Sequence, residues 1–352
     1  MNVEQNIKYV CFILTAYILG CNSNPDGNEN FSSQNIEVQK VVTLGGSTNE
    51  SAQSIVATPD GGYAVLGFTQ SVDGDVLNKT NNSYDFWLLK FDFNGEQQWQ
   101  KVYGGTNDER GQDIITTADG GYAIVGSSKS NDGDVVENAG LNDFWIVKIN
   151  NLGIIEWETS LGYSGTDKCF SILQTQDNGF LVSGVLDVLA MEFDEQGSSS
   201  MNRHAGGDYW IVKLDALGTL VWSKHYGGSF SDKAYAAAET QTGDFIIVGS
   251  SDSNDIDISN NIGSYDFWIL KLSSSGNMLW EKNFGGSEID QARDLTLTSD
   301  GNFLIVGDSR SNDNDLTNNY GTSDVWIVKI DSDGELLWEK SFGGSKVEGV
   351  QA

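Results

Sequence analysis

Asp143-Phe144-Trp145-Ile146-Val147-Lys148-Ile149-Asn150-Asn151-Leu152-Gly153-Ile154-Ile155-Glu156-Trp157 decides the fold, because the chain repeats its pattern five times. The ten tryptophans form five pairs twelve residues apart: Trp87/Trp99, Trp145/Trp157, Trp210/Trp222, Trp268/Trp280 and Trp326/Trp338. Successive pairs are 58 residues apart, except for one interval of 65 between the second and third. A fixed period of this length marks one structural unit copied in tandem. Within the unit, the run from Phe144 to Val147 is apolar on both alternating faces, so the strand needs cover on both sides. Working outward, Gly153 marks a tight turn into a fourth strand that carries the second tryptophan. Upstream, Tyr122 to Ser127, and Tyr63 to Thr69 in the first copy, have the β-branched and aromatic content of a second strand. The Asp119-Gly120-Gly121 and Asp60-Gly61-Gly62 turns before it suggest a two-residue hairpin with positive φ. The strands entering those turns are read as Asp113 to Thr117 and Ser54 to Thr58.

Four antiparallel strands buried on both faces cannot be stable as an isolated sheet. Packing each sheet against the next around an axis solves that problem, so the expected architecture is an all-β β-propeller of four-stranded blades. A linear β-solenoid has shorter repeats. The copies span residues 45–103, 104–161, 162–226, 227–284 and 285–342, and residues 343–352 begin another. Residues Val38 to Leu44 line up with a fourth strand, so the chain reads as five complete blades or as an incomplete six-blade ring. The stretch Asp-x-Trp-x-x-Lys-x-Asp-x-x-Gly-x-x-x-Trp resembles the tryptophan motif of quinoprotein-type propellers. The whole unit is similar to the D-G-G-Y repeats of secreted bacterial propeller proteins over residues 36–352. That resemblance implies the fold alone. The vicinal cysteine pair of quinoprotein dehydrogenases is missing here.

Residues 1–20 read as an export signal: Lys8 precedes an apolar run from Tyr9 to Leu19 that is short for a membrane span. Ile18-Leu19-Gly20-Cys21 resembles the lipobox of bacterial lipoproteins, which implies cleavage after Gly20 and a lipid on Cys21. Residues 21–35 are then a polar tether. The implied location is the cell envelope, with the lipid in the outer membrane. Lys and Arg number 20 against 50 Asp and Glu, a net charge of −30, which argues against nucleic acid as a partner. Only Cys169 remains beyond Cys21, at a position held by Ala52, Gly111, Ala234 and Ala292 in the other copies, so it reads as a small buried filler.

Candidate chemistry concentrates on one face, where the loops joining blades meet the loops between second and third strands. Glu50, Glu109, Asp167, Asp232, Asp290 and Glu348 each stand five residues after the first glycine of a copy. The Ser-x-Asp-x-Asp element supplies Asp73 and Asp75, Asp132 and Asp134, Asp255 and Asp257, Asp313 and Asp315. Those pairs could offer oxygens to Ca²⁺, or cap turns and solubilise the surface. A glycosidase- or lyase-type enzyme could use the inner carboxylates, yet acids repeated in every copy suit a structural role better than two differently tuned catalytic groups. The tryptophans read as blade core, and His225, on a fourth strand, as a packed or edge residue rather than a base. The third copy breaks the symmetry, with seven extra residues and Val188, Leu189, Met191 and Phe193, then Arg203 and His204, where the acidic element should stand. This loop is the candidate ligand site. Together these features imply a non-catalytic, lipid-anchored binding or scaffold module for a protein or carbohydrate ligand.

Overall fold

The computed structural model describes residues 41–187 and 204–350, and among these there is no helix. Twenty strands form five four-stranded antiparallel sheets, the blades of a β-propeller, each in plain sequence order. The first blade holds β1 (Glu50–Ala57), β2 (Tyr63–Thr69), β3 (Asp85–Phe91) and β4 (Gln97–Tyr103), and the second β5 (Glu109–Thr116), β6 (Tyr122–Ser128), β7 (Asp143–Ile149) and β8 (Ile155–Leu161). The third holds β9 (Lys168–Gln174), β10 (Phe180–Leu186), β11 (Asp208–Leu214) and β12 (Leu220–Tyr226). The fourth comprises β13 (Asp232–Glu239), β14 (Phe245–Ser251), β15 (Asp266–Leu272) and β16 (Met278–Phe284), and the fifth β17 (Asp290–Leu297), β18 (Phe303–Ser309), β19 (Asp324–Ile330) and β20 (Leu336–Phe342). The first strands of successive blades abut one another, so they line the axis.

Two local expectations are corrected. The first strands begin four residues earlier than Ser54 and Asp113, at the junction acids Glu50 and Glu109. A β-bulge in each one breaks the period-2 alternation that would have marked its start. The first hairpin is also longer than two residues. Ala57 pairs with Tyr63, leaving residues 58–62 as the connection. Only Gly61 takes a positive φ, 83°. Gly62 is required by space: a Cβ there would sit 2.1 Å from the Phe91 carbonyl.

The core is divided among the blade interfaces. The first tryptophan of each blade from the second onward packs on an aromatic ring of the blade before it. Ring centroids are 4.7 Å apart for Phe86/Trp145, 4.4 Å for Phe144/Trp210, 4.4 Å for Tyr209/Trp268 and 4.6 Å for Phe267/Trp326. Their indole N–H groups donate across to the fourth strand, as Trp145 does to Glu158 at 2.9 Å. The second tryptophans reach the blade after, with Trp99 against Tyr122 and Trp157 against Phe180. Cys169 is a fully buried free thiol in the second interface, as its small counterparts imply, and burial pushes its pKa up.

The outer face of the fifth blade is open by comparison. Phe342 is 53% exposed, while its counterparts Tyr103 and Phe284 are at 4% and 8%, and Trp338 is 40% exposed. Residues after Phe342 start another junction there: Val347 bridges Ser323, and the Glu348 amide donates to the Ser323 carbonyl. Of the segment aligned with a fourth strand, residues 41–44 form no strand, and residues 38–40 lie outside the described residues.

Candidate functional site

The repeated acids form a cradle for the chain crossing between blades. At the second junction, four consecutive amides are taken by side chains: Gly104 donates to Asp134, Gly105 to Glu109, Thr106 to Asp132 and Asn107 to Ser130. The pattern recurs at Gly45 to Thr48, Gly227 to Phe230 and Gly285 to Glu288, using Asp75 and Asp73, Asp257 and Asp255, Asp315 and Asp313. Each of the eight loop carboxylates proposed for Ca²⁺ therefore already gives an oxygen to a backbone amide. The glycine pair follows from the same geometry, since a Cβ at Gly105 would meet Ser130 Cβ at 2.5 Å.

The inner acids are fixed just as firmly. Glu109, Asp167, Asp232 and Asp290 are fully buried. Each also accepts from the end of its second strand, through Ser128, the Asp187 amide, Ser251 and Ser309 respectively. Burial raises Asp167 to about 6 and Asp232 to about 7, and moves Glu109 in the same direction. Buried carboxyls committed to their own blade are poor candidates for reaching a substrate.

A different set of residues stands on the axis-lining first strands. In every first strand the bulge falls on the third residue after the junction acid: Gln53, Gln112, Phe170, Tyr235 and Arg293. A bulged residue has no partner in the ladder, and its side chain is re-aimed. Phe170 and Tyr235 stack between neighbouring blades, with centroids 5.2 Å apart and planes at 30°. The Arg293 guanidinium lies 4.9 Å from the Tyr235 ring centroid and pairs with Asp308 at 3.0 Å. Lys233 lies close enough to Lys168 and Arg293 that, after burial, their charges depress its pKa. Neither Lys168 nor Lys233 has a carboxylate partner among the described residues. An axial patch of three cations beside a stacked aromatic pair thus sits within a chain of net charge −30. Where the cradle repeats in four of the five copies, this ring is two amides, two aromatics and a guanidinium on one repeated frame. Sequence reading passed over it because the bulge hid which side the third residue takes. Counting from the junction acid would have found it.

Of the third-copy insertion, Val188, Leu189, Met191, Phe193 and Arg203 lie outside the described residues. His204 is described: its Nδ1 is 2.5 Å from Asp208 Oδ2, and its ring meets His225 at 5.1 Å. The second histidine is therefore part of a cluster as well as packed on β12. Cys21 lies outside the described residues.

Fold and bulged residues together define a β-propeller whose axis-lining strands each carry one bulge. No family model matches the chain. The regulatory protein FlaEY of Caulobacter vibrioides is 24% identical over 207 residues, covering 55% of this chain and 21% of that protein. The chain thus spans about a fifth of that relative's length. Among solved structures, a protein of unknown function from Bacteroides caccae aligns with a TM-score of 0.47 at 14% identity, over 85% of this chain and 86% of that one. A variant of Synechocystis apocarotenoid oxygenase aligns with a TM-score of 0.45 at 12% identity, over 87% of this chain and 66% of that one. Neither likeness bears on activity.

Proposed function

We propose that this chain is a lipid-anchored binding module of the bacterial cell envelope whose axial ring takes an acidic carbohydrate. The observation that carries the reading is the stacked Phe170/Tyr235 pair beside Lys168, Lys233 and Arg293. Aromatic faces suit the apolar faces of sugar rings, and cations suit their carboxylates. The Gln53 and Gln112 amides can donate to and accept from hydroxyls. A glycosidase or lyase would need a carboxyl pair open to the substrate, and the burial of the junction acids speaks for binding without cleavage.

Titration calorimetry with polygalacturonate and with an uncharged glucan tests this. Binding is expected for the acidic polymer, with a loss of about tenfold in Phe170→Ala/Tyr235→Ala, or about 1.4 kcal/mol. The polymer should keep its length. Equal binding by the double variant overturns the axial site, and shortened polymer overturns the non-catalytic reading. Loss seen only when Val188 to Ser200 is cut to the length of the sister loops would move the site to the insertion.

Anchoring rests on Cys21 in this proposal, through the lipid it would carry. Cys21→Ser is expected to move the protein from the membrane fraction to the soluble one. Retention of the variant in washed membranes overturns it.

A further inference from the structure

The third strand of every blade opens with a buried aspartate that points into the junction, and its treatment differs between blades. At Asp85 the charge is met by the Lys79 ammonium, 3.0 Å away. Asp143, Asp266 and Asp324 each keep one buried oxygen without a hydrogen-bond partner. At Asp208 two imidazoles arrive instead. His204 comes from the segment entering β11, and His225 stands on β12 opposite Trp210 in the ladder. One ligand atom from each of His204, Asp208 and His225 lies within 4.8 Å of the others.

The geometry points to a binding site for one divalent transition-metal ion of the zinc class, held by His204, Asp208 and His225. Three features agree. Asp208 is fully buried, and neither of its oxygens nor His204 Nδ1 has a well-formed hydrogen bond, whereas Asp143, Asp266 and Asp324 each leave one oxygen unmet, an arrangement that is costly unless something completes it. The negative charges of Asp232 and Asp257 bear on His204 from beside it, so the pocket as it stands gathers three carboxylates around two imidazoles. The ligand chemistry is selective: two nitrogens with one carboxylate oxygen suit Zn²⁺ and its neighbours, whereas Ca²⁺ takes oxygen almost exclusively. At the tetrahedral angle, ligand atoms bound at about 2.0–2.2 Å stand about 3.3–3.6 Å apart, so binding would narrow the 4.8 Å span and widen the 2.5 Å approach of His204 to Asp208. The ion would sit between His204 Nδ1 and Asp208 Oδ2, which now stand 2.5 Å apart. It enters past His204, whose side chain is 26% exposed. Cys169 is buried in another interface and cannot compete for the ion. Bound there, the metal would pin the re-entry of the third-copy insertion to the fourth strand of its blade.

The test uses the full chain stripped with chelator and titrated with Zn²⁺ alone, then with Co²⁺ followed by visible absorption. One equivalent is expected to bind and to raise the melting temperature. His204→Gln and His225→Gln replace part-exposed side chains and should keep the strand-type circular dichroism spectrum of the parent. Each is expected to weaken Zn²⁺ binding by at least about tenfold, and the pair to abolish the Co²⁺ ligand-field bands. An equal concentration of Ca²⁺ should not displace the ion. Unchanged affinity in both folded histidine variants, displacement by Ca²⁺, or no stoichiometric binding to the parent chain would each overturn the site.

Discussion

Trp145→Ala is expected to destabilise the fold by about 3–5 kcal/mol, the range for removing a large aromatic from a packed core. Trp145 is fully buried between the first two blades, against Phe86, Leu66 and Leu88 on one side and Ile124 and Val147 on its own. Its removal leaves a cavity that β-sheet backbones on both sides cannot close. It also strips Glu158 of the indole N–H that now satisfies it. The loss should spread beyond one blade, because stability in a repeat array is carried by interfaces between neighbours. Trp338→Ala provides the contrast: this ring closes no complete interface, and the cost should stay below about 1 kcal/mol. Denaturant melts of both variants against the parent measure the difference. An unchanged midpoint for Trp145→Ala, or equal losses for the two, would break the account of the blade interface.

The fold was legible in the sequence because it depends on spacing, and spacing survives without coordinates. The tryptophan period located the blades, and the apolar faces of Asp143–Ile149 required neighbours on both sides. The cradle was only half legible. Ser-x-Asp-x-Asp was readable as an oxygen-rich loop, but nothing in its spacing says that Asp132 and Asp134 serve amides 26 and 30 residues upstream. The Asp-Gly-Gly turns hid a second pairing of the same kind. Asp60 receives the Lys90 ammonium at 2.8 Å, which holds its pKa down to about 2, and Asp119 pairs with Lys148 and Asp177 with Lys213. Each partner recurs in its own motif, yet only the folded hairpin brings them together. The axial ring was the least visible, because a bulge changes which side a residue faces without changing the composition around it.

Melting temperature is expected to rise when the pH falls from 8 to 5. The cause lies in buried carboxyls that take up protons in the folded chain within this range. Burial raises Asp85 and Asp167 to about 6, and raises Asp266 to about 7 with the nearby Asp290 charge adding to it. The ordinary value in the unfolded chain is near 3.8. The folded state therefore binds protons more tightly, and these groups contribute stability that is complete below about pH 3.8 and lost as the pH rises through about 6 to 7. Each tenfold difference in acidity between the two states corresponds to about 1.4 kcal/mol, so the combined effect is on the order of a few kcal/mol. Asp60, Asp119 and Asp177, held at about 2, contribute stability above about pH 3.8 and change little between pH 5 and 8. The two histidines oppose each other. His204, raised by Asp208, gains stability on acidification, while His225, lowered by burial, loses it. Relief of repulsion within a chain of charge −30 acts in the same direction as the carboxyls. Asp266→Asn preserves the shape of a protonated acid and removes its titration, so it should flatten the pH slope while keeping the melt at pH 5 close to that of the parent. Scanning calorimetry at constant ionic strength reads both effects. A melting temperature that falls on acidification from pH 8 to pH 5, or an Asp266→Asn slope equal to the parent's, would show that these carboxyls are ionised in the folded chain.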